Sequence, residues 1–433
     1  MRDILIALLV FGSAPVAVFR PDIGILAYIW IGLMNPHRLS WRLEYAPVGL
    51  VVAIATLLGT VIRGEIRRIP MKSTTILLMV WMLYTTLTTM TAISGRDAWI
   101  EWNRFSRIIF MCFVAMMLLQ ERKRLERYVW VAMASIAFYS VKGGLFSLAT
   151  RGAYRVWGPM GSFIEGNNEL ALAEIMILPL MLYFARQVKK TWQRWAYYGS
   201  IVLTIFSILF SYSRGAFVAF AGVAGILLVR SRYRFQGLLM VLVLGAALIS
   251  FVPAEWKDRM TSIESYQTDQ SAQGRINAWH FAVNIAMTHL FGGGFRTFTK
   301  ELFMVYAPNP TDVHDAHSIY FEVLAEQGFP GLFIFLGILA TALWKLERMR
   351  KRWPKDPDRR WARDLAEMLQ FSLLGYMFGG AFLGLAYFDL PYYLVVSTIL
   401  LEYVAERQPA AVPVPSPAEP ARPGALGRAP AAG

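Results

Sequence analysis

Residues 122–148 read RKRLERYVWVAMASIAFYSVKGGLFSL, and this stretch decides the kind of fold the chain takes. Arg122, Lys123 and Arg124, followed by Arg127, lead into an apolar run over 125–148. That run is long enough to cross a hydrocarbon core of about 30 Å as a helix. In lipid a helix satisfies all of its own backbone N–H and C=O groups, so the run predicts a spanning helix rather than a strand.

Working outward, similar apolar runs fall at 3–19, 22–35, 46–62, 73–93, 101–119, 168–186, 195–211, 214–230, 235–252, 329–346, 366–385 and 390–405. The expected fold class is all-α, a polytopic transmembrane helix bundle of about 12 spans with one large helical loop on the outer face, which the family resemblance given below makes periplasmic. Composition agrees: 56% of residues are hydrophobic and 14% aromatic, and the mean hydropathy is +0.43, far from the usual globular mix. No repeat stands out at solenoid or transporter periods.

The formal charge of +14 would suit nucleic acid, but the basic residues come mostly in short clusters between apolar runs, as the positive-inside rule expects. From residue 120 onward every second connection is basic: Arg122-Lys123-Arg124, then Lys189-Lys190 with Arg194, then Arg230, Arg232 and Arg234, then 345–363. Those connections are assigned to the cytoplasm. The opposite, outer face then carries 149–167, 211–215, 253–328 and 386–391. By the same parity the N-terminus lies outside, unless 3–19 and 22–35 form one re-entrant hairpin. Ile4 to Val18 is followed by Phe19-Arg20-Pro21 rather than a small-residue cleavage site, so it reads as a retained first span.

Four segments follow: 1–252 with transmembrane helices, 253–328 as a large outer-face loop, 329–407 with the C-terminal spans, and 408–433 as a Pro- and Ala-rich cytoplasmic tail expected to be disordered. The single cysteine, Cys112, rules out an intramolecular disulfide and a Cys-based zinc site.

The outer loop is too long to lack structure of its own. Gly274 to Leu290 places Ile276, Trp279, Val283, Ile285 and Met287 among polar residues, predicting an amphipathic helix able to lie on the bilayer surface. A second helix is expected from Asp315 to Gln327, with Asp315 as N-cap and Gly328 just past the end.

Just before and within that second helix stands Asp312-Val313-His314-Asp315-Ala316-His317-Ser318-Ile319-Tyr320. With Asp315 as cap, His317 falls in the first turn, where the helix dipole disfavours an imidazolium. A neutral imidazole is suited to act as general base on a hydroxyl nucleophile. The competing readings are a surface histidine bonded to a headgroup or carbonyl, and a metal cluster of His314, His317, Asp312 and Asp315, for which no accepted zinc spacing is matched.

The arginines assigned to the outer face form the second constellation: Arg151, Arg155, Arg214, Arg275 and Arg296. Arg214, in Ser211-Tyr212-Ser213-Arg214-Gly215, has almost no loop around it, and a charge at membrane depth costs at least about 2.5 kcal/mol. Guanidinium forks bind phosphate oxygens bidentately, so several converging at the bilayer edge suit a lipid-linked diphosphate. The alternative for each is snorkelling to headgroups. Asp389, among aromatics in Tyr387-Phe388-Asp389-Leu390-Pro391, either forms the turn or orients an arginine or an acceptor sugar.

Several features then come together in order: the many-span hydropathy with one large late loop, Ser211 to Gly215, Gly274-Arg275 with Trp279, His317-Ser318 with Tyr320, and Glu326-Gln327-Gly328-Phe329-Pro330-Gly331. In these the chain resembles the bacterial O-antigen ligases, in the wider group with O-antigen polymerases and exosortase-associated O-glycosylation ligases. Arg20-Pro21-Asp22 and Asn35-Pro36-His37-Arg38 resemble the exosortase-associated branch.

The resemblance implies a cofactor-free, metal-independent inverting glycosyltransferase of the bacterial inner membrane, working on the periplasmic side. Its donor would be an undecaprenyl-diphosphate-linked glycan and its acceptor the lipid A core oligosaccharide. His317 matches the family's catalytic histidine, and Arg214 and Arg275 match its arginines, with Arg151, Arg155 and Arg296 as further diphosphate-binding candidates. Asp389, His314 and Tyr320 are candidates for acceptor contact or support. Many members carry Asn where this chain has Ser318. A polymerase or a protein O-glycosylation ligase using the same donor is the enzymatic alternative. A transporter of an anionic lipid-linked solute is the other, and it would place its polar residues near the midplane rather than at one face.

Overall fold

The computed structural model describes residues 2–40, 42–44, 46–230, 270–353 and 358–407. It is all-helical, with no strand among the described residues. The helices are α1 (Arg2–Phe19), α2 (Pro21–Met34), α3 (Val48–Ile62), α4 (Ser73–Met90), α5 (Gly95–Leu118), α6 (Arg122–Ala149), α7 (Asn167–Gln187), α8 (Thr191–Leu209), α9 (Arg214–Arg230), α10 (Gln270–Thr288), α11 (Lys300–Tyr306), α12 (Ile319–Arg352), α13 (Arg360–Gly380) and α14 (Asp389–Arg407). A one-turn 3-10 helix, Pro36–Leu39, follows α2.

Each expected span that lies in the described residues is a helix; the run 235–252 and the tail from 408 lie outside them. Among the described residues four helices are long and apolar enough to cross a membrane: Ser73–Met90, Arg122–Ala149, Asn167–Gln187 and Ile319–Arg352. α2, α3 and the apolar parts of α1 and α9 are shorter. The expected count of about 12 is thus not reproduced by helix length and hydropathy alone.

The two kinds of connection separate to opposite ends of the bundle. At one end Arg124 pairs with Glu65 at 2.7 Å, Arg67 with Glu121 at 3.0 Å, Lys72 with Glu406 at 2.7 Å and Lys345 with Glu402 at 2.8 Å. At the other, Asn167 Nδ2 donates to the Ser211 carbonyl at 2.7 Å, and the Tyr212 hydroxyl to the Gly152 carbonyl at 2.6 Å. α2 connects the ends: Asp22 approaches Arg124 at 3.8 Å, and Arg38, just past its other end, lies against Gly161. α2 therefore runs the length of the bundle beside a separate α1.

α14 is the hub, buried continuously from Asp389 to Leu401. On the periphery, Leu8, Leu9, Leu58, Val61, Leu83 and Phe333 stay exposed, the outward apolar surface that a hydrocarbon environment requires. Buried hydroxyls such as Thr56 and Thr60 donate to carbonyls one turn back, both at 2.7 Å, so they carry no unmet donor into the core.

Gly328 breaks α12 with φ 67°. The piece from Ile319 to Gln327 is thereby turned away from the spanning helix and against Gly292, whose own φ is 78°. Two backbones meet here without side chains: a Cβ on Gly292 would fall 2.4 Å from the Gly328 nitrogen.

Candidate active site

The 270–327 region has a small core of its own, made of Ala278, Phe281, Ala282, Ile285, Phe303 and Ala325. The rings of Phe281 and Phe303 stack with centroids 4.3 Å apart. α10 is amphipathic as expected, but its inner face is Phe281 and Ile285 turned against α11 and the start of α12, and Val283 and Met287 remain exposed. Its docking is therefore onto the protein's own loop core as well as any outer surface.

Three residues of α10 hold the segment that carries His317. Gly274 faces His314 so closely that a Cβ would lie 2.4 Å from the imidazole Cδ2. Asn277 Nδ2 donates to the carbonyls of Asn309 and Asp312, both at 2.9 Å, while its Oδ1 accepts the Asn309 N–H at 2.9 Å. Trp279 donates its indole N–H to the Ala316 carbonyl at 2.8 Å, and its ring stacks on Phe321 with centroids 4.9 Å apart. The spacing Gly274, Asn277, Trp279 puts three contacts along one stretch of α10, each reaching the 309–316 segment.

The expected cap is corrected. Ser318, not Asp315, is the N-cap, and the helix begins at Ile319. His317 precedes the cap with φ 43°, in the left-handed region. Helix formation starts late because the Ala316 carbonyl is spent on Trp279 outside the helical ladder. The imidazole pKa is lowered, first by burial and then by the charge of Arg275, with Asp315 opposing. A neutral imidazole results, through burial and a neighbouring cation rather than through a place in the first helical turn.

Arg275 therefore stands beside His317, and its charge also reaches Glu169 on α7. Arg214 opens α9. Its junction is set by Ser211 Oγ, which accepts the Ser213 N–H at 3.2 Å, by Ser213 Oγ, which accepts the Ala216 N–H at 3.1 Å, and by Tyr212 at φ 59°. Gly215 packs on Phe382, where a Cβ would lie 3.0 Å from its Cβ, and Gly384 two residues further on packs against His317 and Glu322. Arg214 and His317 thus flank the same turn after α13. Arg155 lies over the Tyr212 ring at 5.9 Å, joining the same junction.

Other candidates are placed differently. Arg296, at φ 64°, gives its Nε to Glu101 at 3.1 Å, so a carboxylate already engages the guanidinium. Arg151 is exposed at φ 52° on the 149–167 connection. His314 pairs with Asp312 at 2.7 Å. The Tyr320 hydroxyl donates to the Met377 carbonyl at 2.8 Å, a packing role. Asp389 is buried and accepts the Tyr393 hydroxyl at 3.1 Å. Among the described residues, no three His, Cys, Asp or Glu side chains converge as a metal would need.

Two acidic residues were given no site role from sequence, Glu326 standing only within the quoted motif before Gly328. Glu322 Oε2 accepts the Ala386 N–H at 3.1 Å, and Glu326 Oε1 accepts the Arg296 N–H at 2.8 Å. They sit one turn apart on the short helix before Gly328; Glu322 fixes the loop that packs on His317, and Glu326 fixes the backbone at Arg296. Their i,i+4 spacing next to the Gly328 break was the available signal.

Residues 1–189 match a family of unknown function. No curated protein matches the chain. Residues 199–336, which include Arg214, Arg275 and His317, match the family described as O-antigen ligase. The chain therefore carries an O-antigen ligase domain over residues 199–336, and this domain includes the elements brought to one end of the bundle around His317.

Proposed function

We propose that this protein is an O-antigen ligase that transfers a glycan from undecaprenyl diphosphate to the lipid A core oligosaccharide. The family supports glycosyl transfer of the ligase or polymerase type in general. The observation that carries the finer reading is the juxtaposition of a neutral, partly buried His317 with the cation Arg275. The reaction would take place on the periplasmic side of the inner membrane, and Arg20-Pro21-Asp22 with Asn35 to Arg38 favour the exosortase-associated branch.

In this reading the acceptor hydroxyl attacks the anomeric carbon as the bond to the diphosphate oxygen breaks. The hydroxyl proton passes to His317, and the electron pair leaves with undecaprenyl diphosphate. General-base assistance of this kind contributes about 10²–10⁴-fold. Arg275 and Arg214 offset the charge growing on the leaving group at a partly desolvated site, with Arg155 adding to the field at the Tyr212 junction. The donor's prenyl chain stays in hydrocarbon while its anion sits at the bundle's end, where these arginines lie.

The test is reconstitution of the purified chain with undecaprenyl-diphosphate glycan and one of three acceptors: lipid A core, a second lipid-linked glycan, or a pilin-like protein. Product on lipid A core alone is expected. Product only on one of the other two would replace the acceptor, and no transfer to any would overturn the reading.

A further inference from the structure

A second cationic cluster stands at the same end of the bundle, built only from the region that precedes the O-antigen ligase match. Arg104 on α5 lays its guanidinium flat on Phe163, with Cζ 3.4 Å from the ring centroid, and is exposed. Among the described residues it makes no hydrogen bond and no ion pair within salt-bridge distance. Phe163 in turn packs on Phe388 at 5.9 Å, next to the buried Asp389.

Arg38 comes to the same place from the turn after α2. Its Nη1 would be 2.3 Å from a Cβ on Gly161, so the guanidinium lies against the backbone of the loop that carries Phe163. Its Nη1 donates to Glu44 at 3.5 Å, a long contact, while its Nε is buried without a hydrogen-bond partner. The neighbouring His37 has a buried, unpartnered Nδ1, and its pKa is pushed down to about 4 by burial and by Arg38.

Arg104 feels Arg38 and Arg296 as like charges and Glu101 and Asp389 as opposite ones. Arg296 is engaged by Glu101, and Asp389 is held by Tyr393. Two guanidiniums thus meet one loop two residues apart, Arg38 against Gly161 with its buried Nε unpartnered and Arg104 on the Phe163 ring. Buried donors are normally satisfied, and planar forks of this kind match carboxylate and phosphate oxygens.

We infer that Arg38 and Arg104, with Phe163 as floor, form a second anion subsite for a sugar bearing a phosphate or a carboxylate. The identity of that sugar's carrier, acceptor or donor glycan, rests on the glycosyl-transfer reading; the anion subsite itself does not. It would make the 1–189 region a selector for charged glycans, separate from the diphosphate contacts of Arg214 and Arg275.

The experiment measures binding to the full chain in nanodiscs, without turnover. One arm compares phosphorylated lipid A core with the same core after dephosphorylation. The other compares a lipid-diphosphate glycan carrying a uronic acid with a neutral one. The wild-type chain should prefer the charged form in at least one arm by about tenfold, in line with one or two charge-assisted hydrogen bonds. Arg104→Gln and Arg38→Gln should erase that preference while leaving affinity for the neutral form and the thermal transition unchanged, and Arg104→Lys should keep part of it. The arm that responds names the carrier. Lack of any preference in both arms, or full preference in stably folded Arg104→Gln and Arg38→Gln chains, overturns the subsite. Charge-dependent binding without glycan transfer would instead fell the transfer reading and leave the subsite standing.

Discussion

Trp279 donates its indole N–H to the main-chain carbonyl of Ala316 at 2.8 Å, one residue before His317. Its ring stack on Phe321 makes this a fixed arm rather than a loose contact. Trp279→Phe keeps an aromatic ring but strands the carbonyl. We expect kcat to fall about tenfold with donor affinity unchanged, because small misplacement of a reacting group is costly. Steady-state kinetics beside a donor-binding isotherm would show it; equal losses in both would point to general unfolding.

His317→Asn separates chemistry from backbone. Asparagine tolerates the left-handed conformation that His317 holds at φ 43°, so the segment should keep its path while the base is lost. Turnover is expected to drop by about 10²–10⁴-fold, with the thermal transition unmoved. Near-normal turnover would remove His317 from the mechanism.

The pH profile follows from the direction of the imidazole's shift. Burial and Arg275 lower the His317 pKa below the ordinary 6.5, so the active neutral form persists into mildly acidic solution. The acid limb of kcat/KM should therefore lie below pH 6.5. Arg275→Gln removes one of the lowering influences, so the limb should move to higher pH. A limb that stayed put or moved down would contradict the pairing.

Arg214 and Arg296 should behave differently despite both being arginines near the site. Arg214→Ala should weaken donor binding by about tenfold or more, as expected for loss of a charge-assisted contact. Arg296→Ala should change donor affinity by less than about threefold, because Glu101 already holds that guanidinium. Titration with a lipid-diphosphate glycan distinguishes them, and equal effects would place Arg296 in the donor site.

Gly328→Ala should destabilise the chain by about 1–3 kcal/mol or more. The added Cβ would sit 2.1 Å from the Leu290 carbonyl oxygen at a φ of 67°. Gly337→Ala in the same helix is the control, since nothing lies within 4 Å of its Cβ. Thermal unfolding in detergent should separate the two, and equal transitions would show that the Gly292–Gly328 contact is dispensable.

Sequence alone determined that the apolar runs are helices, since their length and the needs of backbone groups in lipid are local properties. It also fixed the helix break at Gly328, through a glycine's access to positive φ, and it supplied the residue types of the site: a histidine, several arginines and the Gly274 to Trp279 pattern. The tertiary structure decided the rest. The cap moved from Asp315 to Ser318 because Trp279, on another helix, takes the Ala316 carbonyl. Arg275 came to His317, while Arg296 went to Glu101, 195 residues away in sequence. Arg104 carried no signal in the sequence and Arg38 only its place in the Asn35 to Arg38 stretch; packing against Gly161 and Phe163 brought the two to one loop. A helix is written in its own periodicity, but which charge meets which depends on partners brought together only by packing.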